Sequence, residues 1–213
     1  MRFADRGEAG ARLGRAVAAY APEAPLVAAL PRGGVPVGFE VAEALGCELD
    51  VVVVRKIGVP FHPELAMGAV AEGGVVIRNE EIIAAVGVDE ATFISRAEME
   101  RAELETRLAR YRAAAQAIDP EGRTVVVVDD GLATGSTALA AVEALRARNA
   151  SAVWLAVPVA PPDVIPVMTR ATDRLIVLEQ PRRFMAVGAW YHDFSPTSDA
   201  QVVDLLQRSR LPR

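Results

Sequence analysis

Five short apolar runs, residues 26–30, 49–54, 125–128, 153–159 and 175–178, are rich in valine and scarcely interrupted by polar residues. A strand with one face in water alternates apolar and polar residues, whereas a strand covered on both faces does not. The runs therefore predict a sheet buried between layers of helices. Helical stretches at 35–45 and 137–148 separate them, and this alternation is the order of a parallel sheet with crossover helices. The expected fold class is α/β, a doubly wound, mostly parallel sheet flanked by helices. With 213 residues, 52% of them hydrophobic, the chain is long enough for one such core, and residues 1–213 are read as a single domain.

Three segments fall outside this pattern. Asp5 and Glu8 have capping-box spacing and Leu13, Val17 and Tyr20 share a helical face, which predicts a helix over 5–20 packed on the domain. Residues 59–78 carry prolines and Gly73-Gly74 among short apolar runs, as a hairpin or mobile loop inserted between sheet elements would; this is a candidate lid. Over 89–118, Phe93, Ala97, Leu104, Leu108 and Tyr111 recur near helical spacing, for a helix of up to roughly 45 Å if unbroken. Its charges, Glu100, Glu103 and Arg107 among them, read as a solvated face.

Composition narrows the chemistry. A net charge of -5 with no dense cluster among the 23 basic residues argues against a nucleic-acid surface. No apolar segment is long enough to span a membrane, and no signal peptide is visible in the first twenty residues, so no membrane partner and a cytoplasmic location are expected. The single cysteine, Cys47, cannot build a thiolate metal site, so any metal should be hard and oxygen-bound, which favours Mg²⁺. Lys56 is the only lysine, and against so many arginines it is a candidate for a specific role.

The most informative stretch is 125–137, VVVVDDGLATGST. The strand ends in Asp129-Asp130, and in a parallel sheet the carboxyl ends of strands open on the crevice where ligands bind. The following Gly131-Leu132-Ala133-Thr134-Gly135-Ser136-Thr137 leads into a helix, so backbone N–H groups and three hydroxyls converge near a helix N-terminus, a setting suited to a phosphate monoester. It is no Walker A loop, since no lysine follows Gly135. An ordinary strand-to-helix turn capped by Ser136 or Thr137 would explain the glycines and hydroxyls, but not two adjacent carboxylates. After the run at 26–30, Pro31-Arg32-Gly33-Gly34 forms a second turn into a helix, where glycines permit close approach to an anion and Arg32 offers a forked donor.

VVVVDDGLATGST resembles the phosphoribosyl-pyrophosphate motif of the type I phosphoribosyltransferases: four apolar residues, two acids, a small residue, then Thr-Gly-Ser-Thr. The resemblance implies that Asp129 and Asp130 engage the ribose 2- and 3-hydroxyls and that Ala133, Thr134, Gly135, Ser136 and Thr137 hold the 5-phosphate. It implies that Arg32, Gly33 and Gly34 contact pyrophosphate in a loop often containing a cis peptide. Arg55-Lys56 resembles the basic pair at the foot of the mobile loop in orotate-type members, although that pattern's further lysine has no counterpart here. Arg32, Lys56, Asp129 and Asp130 are then the expected catalytic groups. Mg²⁺ would be held mainly by the substrate, with Asp129 and Asp130 as possible additional ligands.

The implied partners are phosphoribosyl pyrophosphate and a small nitrogenous acceptor, with a homodimer as the common assembly in the family. The 6-oxopurine members have an aspartate directly before Thr-Gly, where this chain has Ala133, which disfavours hypoxanthine and guanine unless Glu64 or Glu179 supplies a base. The acceptor is expected under a hood at 181–196, with Phe184, Trp190 and Tyr191 available for stacking, while His62 in the lid is read as loop surface. The alternative from another class is a regulator or sensor that binds the ligand without transferring it. An RNA-binding regulator would want a basic face, and an oxidoreductase would want GxGxxG after a strand; the chain has neither.

Overall fold

The computed structural model describes residues 2–211, apart from the side chains of Pro63 and Glu64. At its centre lies strand β6 (Thr124–Val128), whose valines at 125 to 128 are each 0% exposed. Strand β1 (Pro25–Ala29) runs parallel to it in the register Leu26↔Val125 to Ala29↔Val128. Strands β2 (Glu48–Val51), β7 (Ala152–Val159) and β8 (Arg174–Glu179) complete a five-stranded sheet in the order β2-β1-β6-β7-β8, with every pair parallel.

Successive residues on a strand face opposite ways, and each face of this sheet has its own helical layer. Val126 and Val128 pack in the cluster containing Leu13 and Val17 of α1 (Arg6–Ala18), Val37 and Val41 of α2 (Gly34–Leu45), and Val202 and Leu206 of α7 (Asp199–Arg208). Val125 and Val127 pack with Ala141, Val142 and Leu145 of α5 (Ser136–Ala147) and with Met168 of α6 (Ile165–Ala171). The chain leaves β1 through α2 for one edge and leaves β6 through α5 for the other. Winding therefore reverses between β1 and β6, the position where α/β sheets open a ligand crevice.

Helix α1 starts as its spacing predicts, with the Asp5 carboxylate accepting from the Glu8 amide at 2.8 Å. Leu13 and Val17 are buried, but Tyr20 is not part of that face: it lies beyond the helix end, 51% exposed, with Arg174 over its ring at 4.2 Å. Gly10 and Gly14 bring α1 against α2 at backbone range, since a methyl on Gly10 would come 2.7 Å from the Val37 carbonyl and one on Gly14 would come 2.6 Å from the Ala44 methyl. Residue 10 meets 37 and residue 14 meets 44, so the two helices run parallel with their N-termini at the same end.

Between β2 and β6 the chain builds a second layer. The segment expected as a hairpin or mobile loop is a hairpin, part of an antiparallel sheet of β3 (Val54–Val59), β4 (His62–Ala71) and β5 (Val76–Arg78). A short helix, α3 (Glu80–Val86), leads from it into α4 (Glu90–Arg112). Phe93, Ala97, Leu104, Leu108 and Tyr111 are the buried residues of α4, as their spacing predicts, and they share a cluster with Ile57, Met67 and Val70 of the small sheet. At 23 residues, α4 is about 34 Å long and ends short of the predicted 118.

The early end of α4 has an electrostatic cause. Arg112 donates to Asp50 at 2.6 Å and to Glu72 at 2.7 and 2.5 Å, while the Ile118 amide donates to the other Asp50 oxygen at 2.8 Å. Asp50 is 4% exposed in β2, so the segment after Arg112 is folded back onto the parallel sheet by a buried carboxylate. Removing one partner of a buried pair leaves an uncompensated charge. Asp50→Ala is expected to cost about 3 kcal/mol, read as a lower urea midpoint with an unchanged slope; a loss under about 0.5 kcal/mol would remove this network from the causes of the fold.

Candidate functional site

The acidic pair emerges at the carboxyl end of β6, beside the turn that follows β1. The Leu30 amide donates to the Val128 carbonyl at 2.8 Å, carrying the pairing one residue past the strand and laying Arg32-Gly33-Gly34 over Asp129-Asp130. A side chain at either glycine would not fit: a methyl on Gly33 would overlap the Asp130 carboxylate, and one on Gly34 would come 2.6 Å from the Val128 carbonyl and 3.1 Å from Asp129 Oδ1. The Pro31–Arg32 peptide bond is cis. Arg32 is exposed, and its charge helps hold the Asp199 carboxyl below its usual range, after the larger effect of the hydrogen bond from Tyr111.

Both acids pack into low-dielectric surroundings. Burial pushes the Asp129 carboxyl well above the usual carboxylate range, and the neighbouring Asp130 charge pushes it the same way. Burial also raises Asp130, against the opposing charge of Arg6. Arg6, the first residue of α1, donates through Nε to Asp130 Oδ2 at 2.8 Å and approaches the same oxygen with Nη2 at 2.8 Å.

On the far side, Gly131 to Thr137 turn into α5 around a cavity of about 200 Å³ lined by Asp129, the loop residues 131–138 and Val187. Gly135 is the N-cap with φ 74, a left-handed conformation that favours glycine, and the helix starts at Ser136. Thr134 Oγ1 lies 3.1 Å from Ser136 Oγ, and Ala133, Thr134 and Thr137 are exposed. The first-turn N–H groups of α5 have no intrahelical partners and open on this cavity, which offers polar donors to an anion.

The basic pair is divided. Arg55 and Lys56 lie within β3, not beyond a strand end, because the parallel strand stops at Val51 and a new strand starts at Val54. Neighbours on a strand face opposite sides. Arg55 faces α4, where it donates to Glu100 at 2.6 Å and pairs with Glu103 at 2.8 Å. Its charge is thus engaged by two carboxylates, and these two acids are ion-pair partners instead of a merely solvated face. Lys56 is on the side of Val54, which packs in the α5 cluster, and its side chain forms no hydrogen bond or ion pair among the described residues.

The hood contains a short helix, Val187–Trp190. Tyr191 follows it, 4% exposed, with ring centroids of Phe3 and Phe194 at 5.5 and 5.0 Å. Its hydroxyl donates to the Asp130 carbonyl at 2.5 Å. A ring enclosed in this way is not available to stack on an acceptor, which corrects the expectation for Tyr191; its role is to hold the acidic motif. Trp190 is half-buried and its carbonyl accepts from the Phe3 amide at 2.8 Å, while Phe184 is half-buried. Glu179 ends β8 with Arg12 at 3.8 Å, His62 is exposed at the hairpin turn, and the Glu64 side chain lies outside the described residues.

Arg6 was not among the expected site residues, though one signal was available. A cation at the first position of a helix opposes the helix dipole, so an arginine directly after the Asp5 cap needs another reason to be there.

Against this geometry, the phosphoribosyl transferase domain profile matches residues 10–166, and the chain belongs to the phosphoribosyltransferase family. Proteins of two Mycobacterium tuberculosis strains, H37Rv and CDC 1551, each named "Putative phosphoribosyl transferase", are 44% identical over 207 residues, covering 97% of this chain. The chain spans 47% of the length of those relatives. A crystal structure of TT1426 from Thermus thermophilus is 42% identical, covers 98% of this chain and 99% of its own, and superposes with a TM-score of 0.91. Among the described residues, no helix is long and apolar enough to cross a membrane.

The raised carboxyls have a consequence for stability. A group whose pKa is higher in the fold than in the unfolded chain stabilises the fold at low pH, and this contribution is lost as pH rises through the folded-state value. Asp129→Asn removes the cost of an ionised, desolvated carboxyl. It is expected to raise Tm at pH 8 by at least about 2 °C, the shift that about 1 kcal/mol gives at this size. The gain should vanish as pH falls toward about 4, the ordinary aspartate value. A variant less stable than the native chain at pH 8, in thermal scans followed by circular dichroism, would contradict the assigned burial.

Proposed function

We propose that the chain transfers the 5-phosphoribosyl group of phosphoribosyl pyrophosphate to a nitrogen acceptor, releasing pyrophosphate. The observation that carries this reading is the placement of the acidic pair between two anion-suited turns at one switch point. The phosphate-type loop 133–137 lies on one side and Arg32-Gly33-Gly34 packs directly on the other. The ribose of the substrate would lie over Asp129 and Asp130, its 5-phosphate at Thr134 to Thr137 and its pyrophosphate toward Arg32 and Lys56.

In this reading the acceptor nitrogen attacks C1, the C1–O bond to pyrophosphate breaks, and positive charge develops on the ribose ring. The two carboxylates beneath the ring stabilise that charge and fix the hydroxyls, while Arg32 and Lys56 balance the departing anion. The donor set fits Mg²⁺ held largely by substrate oxygens: the site offers hard carboxylate oxygens of Asp129 and Asp130, and no group of three or more His, Cys, Asp or Glu suited to a metal occurs among the described residues. When bound there, Mg²⁺ would neutralise charge on the pyrophosphate and polarise the ribose hydroxyls. Ala133 provides no carboxylate for the N7 proton of a 6-oxopurine, so the favoured acceptor is a nitrogen base other than hypoxanthine or guanine.

Calorimetry with phosphoribosyl pyrophosphate and Mg²⁺ tests the reading, followed by a pyrophosphate-release screen across nucleobases. Binding that is lost in the Asp129→Asn, Asp130→Asn variant, with release for one base, is expected. Binding without release for any base would favour the sensor, and no binding by the native chain would sink the proposal. At the phosphate loop, Ser136→Ala is expected to weaken binding about tenfold, the effect of losing one hydrogen bond to a charged group. An unchanged Kd would take Ser136 out of the phosphate site.

A further inference from the structure

Arg6 is positioned by three parts of the molecule at once. Its guanidinium, 12% exposed, holds Asp130 Oδ2 through Nε and Nη2, each at 2.8 Å. Nη1 donates to the Ser195 carbonyl at 2.8 Å, and Phe194 lies against the guanidinium with its ring centroid 3.9 Å from Cζ. Tyr191, whose hydroxyl holds the Asp130 carbonyl, lies 6.0 Å from the same Cζ. The remaining carboxylate oxygen, Asp130 Oδ1, takes no part in the contact with Arg6, and among the described residues no other side chain donates to it. A guanidinium over a ring, with its donors spent on fixed acceptors, is held in one orientation, and so is the carboxylate it grips.

The helix that delivers Arg6 is equally constrained. Gly10 and Gly14 lock α1 parallel to α2, and α2 begins at the turn whose Gly33 packs on Asp130. Arg6 and the Gly33-Gly34 turn therefore reach Asp130 from a pair of helices bolted together. Placing a cation at the first position of α1 works against the helix dipole, so the local cost must be offset by what Arg6 contacts, and its ion-pair partner is Asp130.

We propose that Arg6 is a positioning residue for the ribose subsite: it grips Asp130 by one carboxylate oxygen and presents the other, Oδ1, to a ribose hydroxyl. The proposal rests on the phosphoribosyl pyrophosphate reading of the crevice. It adds a residue outside the acidic motif, and the far side of the hood through Ser195 and Phe194, to the parts that set affinity for the ribose.

The test is a pair of double-mutant cycles read by calorimetry with phosphoribosyl pyrophosphate and Mg²⁺, since only residues acting through each other depart from additivity. Arg6→Gln alone is expected to weaken binding about 10- to 100-fold, and Arg6→Lys less, because a lysine restores charge without the fork. In the Asp130→Asn background, Arg6→Gln should add less than about twofold; in the Thr137→Val background, its full effect should persist. Where Arg6→Gln does not fold, Arg6→Lys takes its place in both cycles. Additivity with both Asp130→Asn and Thr137→Val would show that Arg6 acts through the fold at large and would overturn the proposal, as would binding by Arg6→Gln equal to native. Native binding with either result leaves the reading of the crevice standing; failure of the native chain to bind removes that reading and this proposal together.

Discussion

The parallel pairing of β1 with β6 is the contact on which the rest of the molecule depends. These strands are distant in sequence, yet their in-register ladder, extended by the Leu30 amide to the Val128 carbonyl, decides what meets at the crevice. Both strands end on the same line, so the turn after one lies against the acids after the other. A shift of one residue would turn Val125 to Val128 over, exchanging the α1–α2 and α5 faces of the core, and would also move the Gly33 backbone away from the one carboxylate it packs against. Fold register and site geometry are thus set by the same hydrogen bonds.

Around that ladder the chain places charge where solvation is poor. Asp129 and Asp130 are adjacent and desolvated, and Arg6 relieves only part of the strain on their ionised forms. The Asp50–Arg112–Glu72 network shows the opposite arrangement, with a buried carboxylate fully engaged by a guanidinium and two backbone amides, those of Val51 and Ile118. One carboxylate has both oxygens used for structure. In the other pair, an oxygen is left over, as a site that must accept a ligand requires.

The parallel core was legible in the sequence because burial on both faces leaves an unmistakable mark: no polar residue interrupts Val125 to Val128. The inward face of α4 was legible for a similar reason, since Phe93, Ala97, Leu104, Leu108 and Tyr111 keep their spacing whatever they pack against. The run at 49–54 misled because two strands in different sheets share the apolar stretch Val51 to Val54, and nothing in Val52-Val53 marks the break that places Arg55 and Lys56 inside a new strand, on its opposite faces. Of the candidate site, the two turns and the acids could be read locally. Arg6 and Tyr191 could not, since each reaches Asp130 across a long sequence separation, and the only local trace was a cation at the wrong end of α1.

The hood derives little of its order from itself. Beyond the single short helix at Val187–Trp190, its backbone is pinned by residues 3 and 4: the Phe3 amide bonds the Trp190 carbonyl, and the His192 and Asp193 amides bond the Phe3 and Ala4 carbonyls. Closing such a contact joins segments nearly the whole chain apart, so it should be among the last to form as the chain folds. The cover of the crevice is thus held by contacts remote in sequence: three backbone hydrogen bonds to the residues before α1, the Arg6 donation to the Ser195 carbonyl, and the Tyr191 hydroxyl on the Asp130 carbonyl.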